Sequence, residues 1–215
     1  MMMNLFSTFD PCTGIFSLNW LSSLIIMMLS YNYWVSLNNI NSIMIKIYSS
    51  IKNELSIIMK ESGSSIMFMS LGMFIVINNL MGLVPYIFTS SSHLTFSLAL
   101  ALPMWVSFMM YGWINKSEKM FSHLVPMGTP SMLMPFMVMI ETISNIIRPG
   151  SLAVRLTSNM IAGHLLMSLL GNSCNMWTTM IIMFIFISLM MFETAVSLIQ
   201  AYVFMILTTL YSSEI

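Results

Sequence analysis

The chain has 215 residues, of which seven are Lys or Arg and seven are Asp or Glu. Charged residues make up 7% and hydrophobic residues 58%, where a soluble domain carries about 25% charge. So few charges cannot cover a soluble core of this size, and a net charge of zero without a basic run excludes a nucleic-acid surface. Their placement says more. No Asp, Glu, Lys or Arg lies in 11–45, 62–115, 120–140, 156–192 or 194–213. Each gap can hold the roughly 20 apolar residues with which a helix crosses a bilayer. The expected fold class is an all-α integral membrane protein, a single membrane domain over 1–215 with little mass outside the lipid.

No Lys or Arg precedes Lys46, so a secretory signal or an Arg-rich transit peptide is not expected. The first expected span is 15–35, with Trp20, Tyr31, Tyr33 and Trp34 near its ends as interfacial aromatics. Over 37–61 the apolar residues Ile40, Met44, Ile47, Ile51, Leu55 and Ile58 recur at helical steps. Ser42, Lys46, Ser49, Ser50 and Asn53 fall on the opposite face, which reads as an amphipathic helix on the membrane surface. Spans at 66–84 and 94–114 make a membrane hairpin around a short polar turn, Thr89 to His93. Pro103 lies inside the second arm, where membrane helices tolerate it.

The stretches 131–170 and 177–212 are helical in character but too long for one upright crossing. About 40 residues at 1.5 Å each reach roughly 60 Å, twice the ~30 Å hydrocarbon layer. Length alone favours a hairpin in each stretch, the first at Pro149-Gly150; the alternative is that each is a single tilted and bent helix. Lys46, Lys52, Lys60, Lys116 and Lys119 all fall on one side of the membrane under this topology, and none on the other. The N-terminus is therefore expected on the far side from the cytoplasm or matrix. Cys12 and Cys174 lack metal-ligand spacing and are expected as free thiols.

Glu141, Arg148, Arg155, His164 and Glu193 lie inside apolar stretches. A charge at mid-bilayer costs about 2.5–3.5 kcal/mol on insertion scales, so such residues are functional candidates. Arg155 cannot lose its proton in a protein. It is a fixed cation suited to gate or anchor a moving anion; a carboxylate at 4 Å would feel about 4 kcal/mol at an effective dielectric near 20. Asn159 sits one helical turn beyond it. Glu193 and Gln200 are spaced by seven, as are Glu141, Arg148 and Arg155 if Pro149 leaves the helix continuous. Glu141, His164 and Glu193 can gain and lose a proton and suit a relay through a wet cavity. Plainer readings stand beside these. Arg148 can pair with Glu141 or snorkel, His164 can be a packed histidine, His93 and His123 can be interfacial, and Asn78-Asn79 can be helix-packing amides.

The chain contains no phosphate-cradling or dinucleotide glycine motif, and its three histidines sit in different segments. No enzyme site, cofactor or metal is expected. Two motifs then carry a resemblance. Ser151-Leu-Ala-Val-Arg155-Leu-Thr-Ser-Asn159-Met-Ile-Ala-Gly-His164-Leu resembles the signature of subunit a of F-type ATP synthases, and so does Glu141-Thr-Ile-Ser-Asn-Ile-Ile-Arg-Pro149-Gly150. Asn79-Leu-Met-Gly-Leu-Val-Pro85-Tyr86 and Leu198-Ile-Gln-Ala-Tyr-Val-Phe204 are similar to the same family. The start, Met3-Asn-Leu-Phe-Ser-Thr-Phe-Asp10-Pro11, resembles mitochondrially encoded members from insects and related arthropods.

That resemblance implies about six helices, among them two long tilted, bent ones facing a c-ring. It implies proton translocation through two aqueous half-channels, with Arg155 separating them and Asn159, Gln200, Glu193, His164 and Glu141 serving the proton path. The expected partners are the c-ring, b-type and small stator subunits of the membrane sector, the lipid bilayer and the transported proton. The expected location is the mitochondrial inner membrane, with the N-terminus in the intermembrane space and the C-terminus in the matrix. The competing readings are a secondary transporter in which Arg155 clamps a substrate carboxylate, and a structural assembly subunit.

Overall fold

The computed structural model describes residues 5–12, 16–28, 39–59, 62–84, 87–125, 128, 130–173 and 179–214. Cys174, Lys60 and positions 29–35 of the expected first span lie outside the described residues. The described residues are helices joined by turns. Two 3-10 helices, Leu5–Phe9 and Leu18–Met28, precede α1 (Asn39–Ile58) and α2 (Ser62–Gly82). A 3-10 turn at Ser90–Ser92 leads into α3 (Leu94–Asn115) and the short α4 (Ser117–His123). The chain ends in α5 (Met134–Asn172) and α6 (Thr179–Glu214).

Among the described residues three helices are long and apolar enough to cross a membrane, at Gly63–Gly82, Leu94–Asn115 and Thr179–Ser213. α5 is not among them, and it carries Glu141, Arg148 and Arg155 along its length. Neither hairpin that length favoured forms: α5 runs unbroken for 39 residues with Pro149 inside it and buried, and α6 is a single helix of 36 residues. A proline in a helix removes one hydrogen bond, here to the Asn145 carbonyl. A hairpin would leave the end groups of two helices to be satisfied in apolar surroundings. At about 58 Å, α5 is nearly twice as long as the ~30 Å hydrocarbon layer is thick.

The backbones pack most closely as α2 on α6, α6 on α5 and α5 on α3. The arms of the α2/α3 hairpin instead touch through rings, Phe74 on Phe96 at 5.9 Å and Phe68 on Phe108 at 5.8 Å. Where the four helices meet, Ile75, Ala101, Leu152, Ala153, Leu156, Ala201 and Phe204 form the main core. Lipid is as apolar as these side chains, so small residues that admit close backbone packing matter more here than area removed from water. Ala101, Ala153 and Ala201 have that role, and so does Gly72, where an added Cβ would meet Met205 Sδ at 2.8 Å. Buried hydroxyls are satisfied along their own helices: Thr157 Oγ1 donates to the Val154 carbonyl at 3.0 Å and Thr208 Oγ1 to the Met205 carbonyl at 2.8 Å.

α1 has the amphipathic pattern read from the sequence, but the protein covers only its C-terminal end. Leu55 is buried with Phe68 and Met205, and Ile51 packs beside them, while Ile43, Ile45 and Ile47 are exposed. The Tyr202 hydroxyl donates to Glu54 Oε2 at 2.7 Å and ties α1 to α6. In the N-terminal half, residues 18–28 of the expected span wind as a 3-10 helix, whose eleven residues rise only about 22 Å. The turn at Thr89–Ser92 is buried, packed chiefly on α5, α2 and α3 with that 3-10 helix beside it. Ser22 Oγ donates to the Phe88 carbonyl at 3.1 Å, and Trp20 packs on His93 at 5.2 Å.

Candidate functional site

The candidate residues divide between two cavities set at different heights along α5. The first, about 230 Å³, is enclosed by α2, α5 and α6. Its polar lining is Asn79 from α2, Asn159 from α5, and Glu193, Ser197 and Gln200 from α6. One helical turn separates Glu193 from Ser197, and another brings in Gln200, which is why a single face of α6 supplies three of the five. Glu193 is only 8% exposed, and neither carboxylate oxygen has a hydrogen-bond partner among the described residues. Its carboxylate lies on the backbone of α5 at Gly163, where an added Cβ would come 2.7 Å from Glu193 Cδ. Any larger residue at 163 would occupy the carboxylate's place.

Asn79 was set aside in the sequence as one of two packing amides. The pair divides in the structure. Asn78 is such an amide, donating from Nδ2 to the Phe74 carbonyl at 3.1 Å. Asn79 is 1% exposed with both amide atoms unpartnered among the described residues, and it faces the Glu193 cavity. Ser197 was also missed; its spacing of four from Glu193 was the available signal.

The second cavity, about 570 Å³, is enclosed by α3, α4, α5 and α6. Glu141, Thr142, Asn145 and Arg148 of α5, His123 of α4 and Tyr211 of α6 provide its polar lining. Arg148 Nη2 stands 3.8 Å from Glu141 Oε1, and the Tyr211 ring centre lies 5.1 Å from the guanidinium carbon. The spacing of seven therefore brings Glu141 and Arg148 together on the N-terminal side of Pro149. It stops short of Arg155.

Arg155 lines neither cavity. Its side chain is exposed on α5 in the interval between the residues that line one cavity and those that line the other. It makes no ion pair among the described residues. A clamp for a small carboxylate would place the guanidinium inside a cavity, and Arg155 lines neither of these two. His164 joins neither group. It is half-buried, its Nε2 is buried without a protein partner among the described residues, and the Phe9 ring meets it edge-on at 6.1 Å. The described residues contain no cluster of groups able to hold a metal ion.

A helical membrane chain with two separated, mainly apolar cavities that each carry ionisable and polar groups in their walls, and an exposed fixed cation between them, has the makings of an ion-translocating subunit. The profile of the ATP synthase A chain family matches residues 12–213. Over its whole length the chain is 54% identical to the full ATP synthase subunit a of Anopheles quadrimaculatus. It is 52% identical to the full subunit a of Locusta migratoria and 53% identical to that of Drosophila melanogaster. The chain belongs to the ATP synthase A chain family. Proton translocation in the membrane sector of that synthase is the function that goes with membership.

Proposed function

We propose that the two cavities are the inner ends of two aqueous half-channels, with Arg155 keeping them apart. In this reading Glu193, with Asn79, Asn159, Ser197 and Gln200, forms the uptake route from the intermembrane space. Glu141, in the second cavity, forms the release route to the matrix, and His164 serves the uptake side from behind Phe9. The supporting observation is the placement of the two cavities, one holding Glu193 and the other Glu141, on either side of Arg155 along α5. Their centres on α5, near residues 145 and 160, are about 22 Å apart along the helix axis. On an inclined helix such a separation is both lateral and in depth, as two offset half-channels need.

The missing wall is a c-ring, whose mid-membrane carboxylates would pass along the exposed face of α5 and α6. A fixed guanidinium there favours the ionised form of a passing carboxylate and so promotes release of its proton. Away from it, the low dielectric of lipid favours the protonated form. Alternation between these environments turns a proton gradient into rotation, with about 2.3 kcal/mol available per charge and 100 mV. The chain itself then carries no nucleotide chemistry. Stator subunits of the b type and small membrane subunits would hold it against the ring. The location is the mitochondrial inner membrane, with the N-terminus in the intermembrane space, the C-terminus in the matrix and α1 on the matrix surface.

The test is Arg155→Ala in the assembled complex, in sealed vesicles. ATP-driven pumping should disappear while the complex remains intact, and passive proton leak should rise. Pumping that persists would remove Arg155 from the route.

A further inference from the structure

Arg148 is an intramembrane cation to which the proton route assigns no task. It is planar, permanently charged and able to stack on a ring while it faces a carboxylate. Both partners are present. Its distance of 3.8 Å from Glu141 is within ion-pair reach but too long for a hydrogen bond. Its 5.1 Å from the Tyr211 ring centre is within the roughly 6 Å range of a cation–π contact. The Arg148 side chain is 30% exposed and that of Glu141 38%, so solvent screens the pair in part and the ring contributes to holding the guanidinium in place.

The surroundings narrow the alternatives. The charged or titratable groups on the wall of this cavity are Glu141 and Arg148 from α5, His123 from α4 and Tyr211 from α6. From α3 come only Trp105, Phe108, Met109 and Trp113. Pro149 has no N–H to give to the Asn145 carbonyl, so the wall beside Arg148 has a polar backbone group freed by the sequence itself. Tyr211 belongs to the same helix as Glu193, so α6 reaches both cavities.

We propose that Arg148 is a positioning residue of the second cavity. The Tyr211 ring holds its guanidinium beside Glu141, and this fixes where the Glu141 carboxylate stands in the cavity as long as the end of α6 is seated on α5. The proposal rests on the reading that Glu141 lies in the proton route, and the test separates the two.

Passive proton conduction through the membrane sector is measured in vesicles carrying the assembled complex, for Glu141→Gln, Arg148→Gln, Tyr211→Leu and Tyr211→Phe. A misplacement of about 1 Å can cost on the order of a hundredfold in rate, so Arg148→Gln and Tyr211→Leu should each lower conduction by about tenfold. The double variant should lose no more than Arg148→Gln alone, and Tyr211→Phe, which keeps the ring, should conduct as the parent does. If Tyr211→Leu does not assemble, Arg148→Gln carries the test. Blocked conduction in Glu141→Gln together with the parent's conduction in Arg148→Gln and Tyr211→Leu would overturn the positioning role alone. Normal conduction in Glu141→Gln would overturn the route through Glu141, and this proposal with it.

Discussion

Replacing Gly163 by Ala inserts a Cβ at 2.7 Å from Glu193 Cδ and at 2.8 and 3.0 Å from its two carboxylate oxygens. Ordinary carbon–carbon contact begins near 3.5 Å, so the carboxylate must retreat by about 1 Å. The obstacle meets the end of a flexible side chain, so rotation can relieve it at a cost of about 0.5–1.5 kcal/mol for an off-rotamer torsion. Against that, Ala in a helix interior is worth roughly 0.5–1 kcal/mol over Gly. Stability should change little. Position should change a great deal, because a misplacement of about 1 Å can cost on the order of a hundredfold in rate where geometry matters. The expected outcome is a normally assembled complex on a native gel with proton conduction reduced about tenfold or more in sealed vesicles. Glu193→Asp, shorter by one methylene, should recover part of the loss when combined with Gly163→Ala. Undiminished conduction in an assembled Gly163→Ala complex would refute the idea that Glu193 works from its seat on Gly163.

Three further outcomes concern Glu193 and the Asp10–Cys12 pair. Glu193→Gln keeps the shape of the side chain and removes its proton exchange, so ATP synthesis should fall by about tenfold or more while passive leak stays at the parent's level, Arg155 being intact; unchanged synthesis would exclude a relay role. Asp10 raises the proton affinity of the exposed Cys12 thiol, chiefly through its charge and then through a side-chain hydrogen bond. The thiolate fraction at neutral pH is thereby reduced, so Asp10→Asn should speed maleimide labelling of Cys12 at pH 7.5, with the rate difference shrinking as the pH rises toward full ionisation. A membrane-impermeant maleimide should reach it from the intermembrane-space side only, and labelling from the matrix side would reverse the proposed topology.

The membrane class and the ionisable residues worth attention were legible because both depend on local cost. Lipid penalises charge wherever it falls in the chain, so gaps without Asp, Glu, Lys or Arg mark spans, and Arg155 or Glu193 within an apolar run needs a reason to be there. The motif around Arg155 identifies the family for the same reason: it is a contiguous string. Packing was not legible. Counting residues argued for a hairpin at Pro149-Gly150, yet α5 is continuous, since one lost hydrogen bond costs less than two unsatisfied helix ends. Nothing in the local pattern separated Asn78 from Asn79. Only the packing of α2 against α5 and α6 turns one amide to a neighbouring carbonyl and the other into the cavity of Glu193. The spacing of seven placed Glu141, Arg148 and Arg155 on one face. Tertiary contacts then closed α3, α4 and α6 around the first two and left the third exposed. Composition and short motifs determine what solvent a chain can enter and which groups it carries there. Which of those groups share a cavity depends on helices distant in sequence, and that is settled only when they pack.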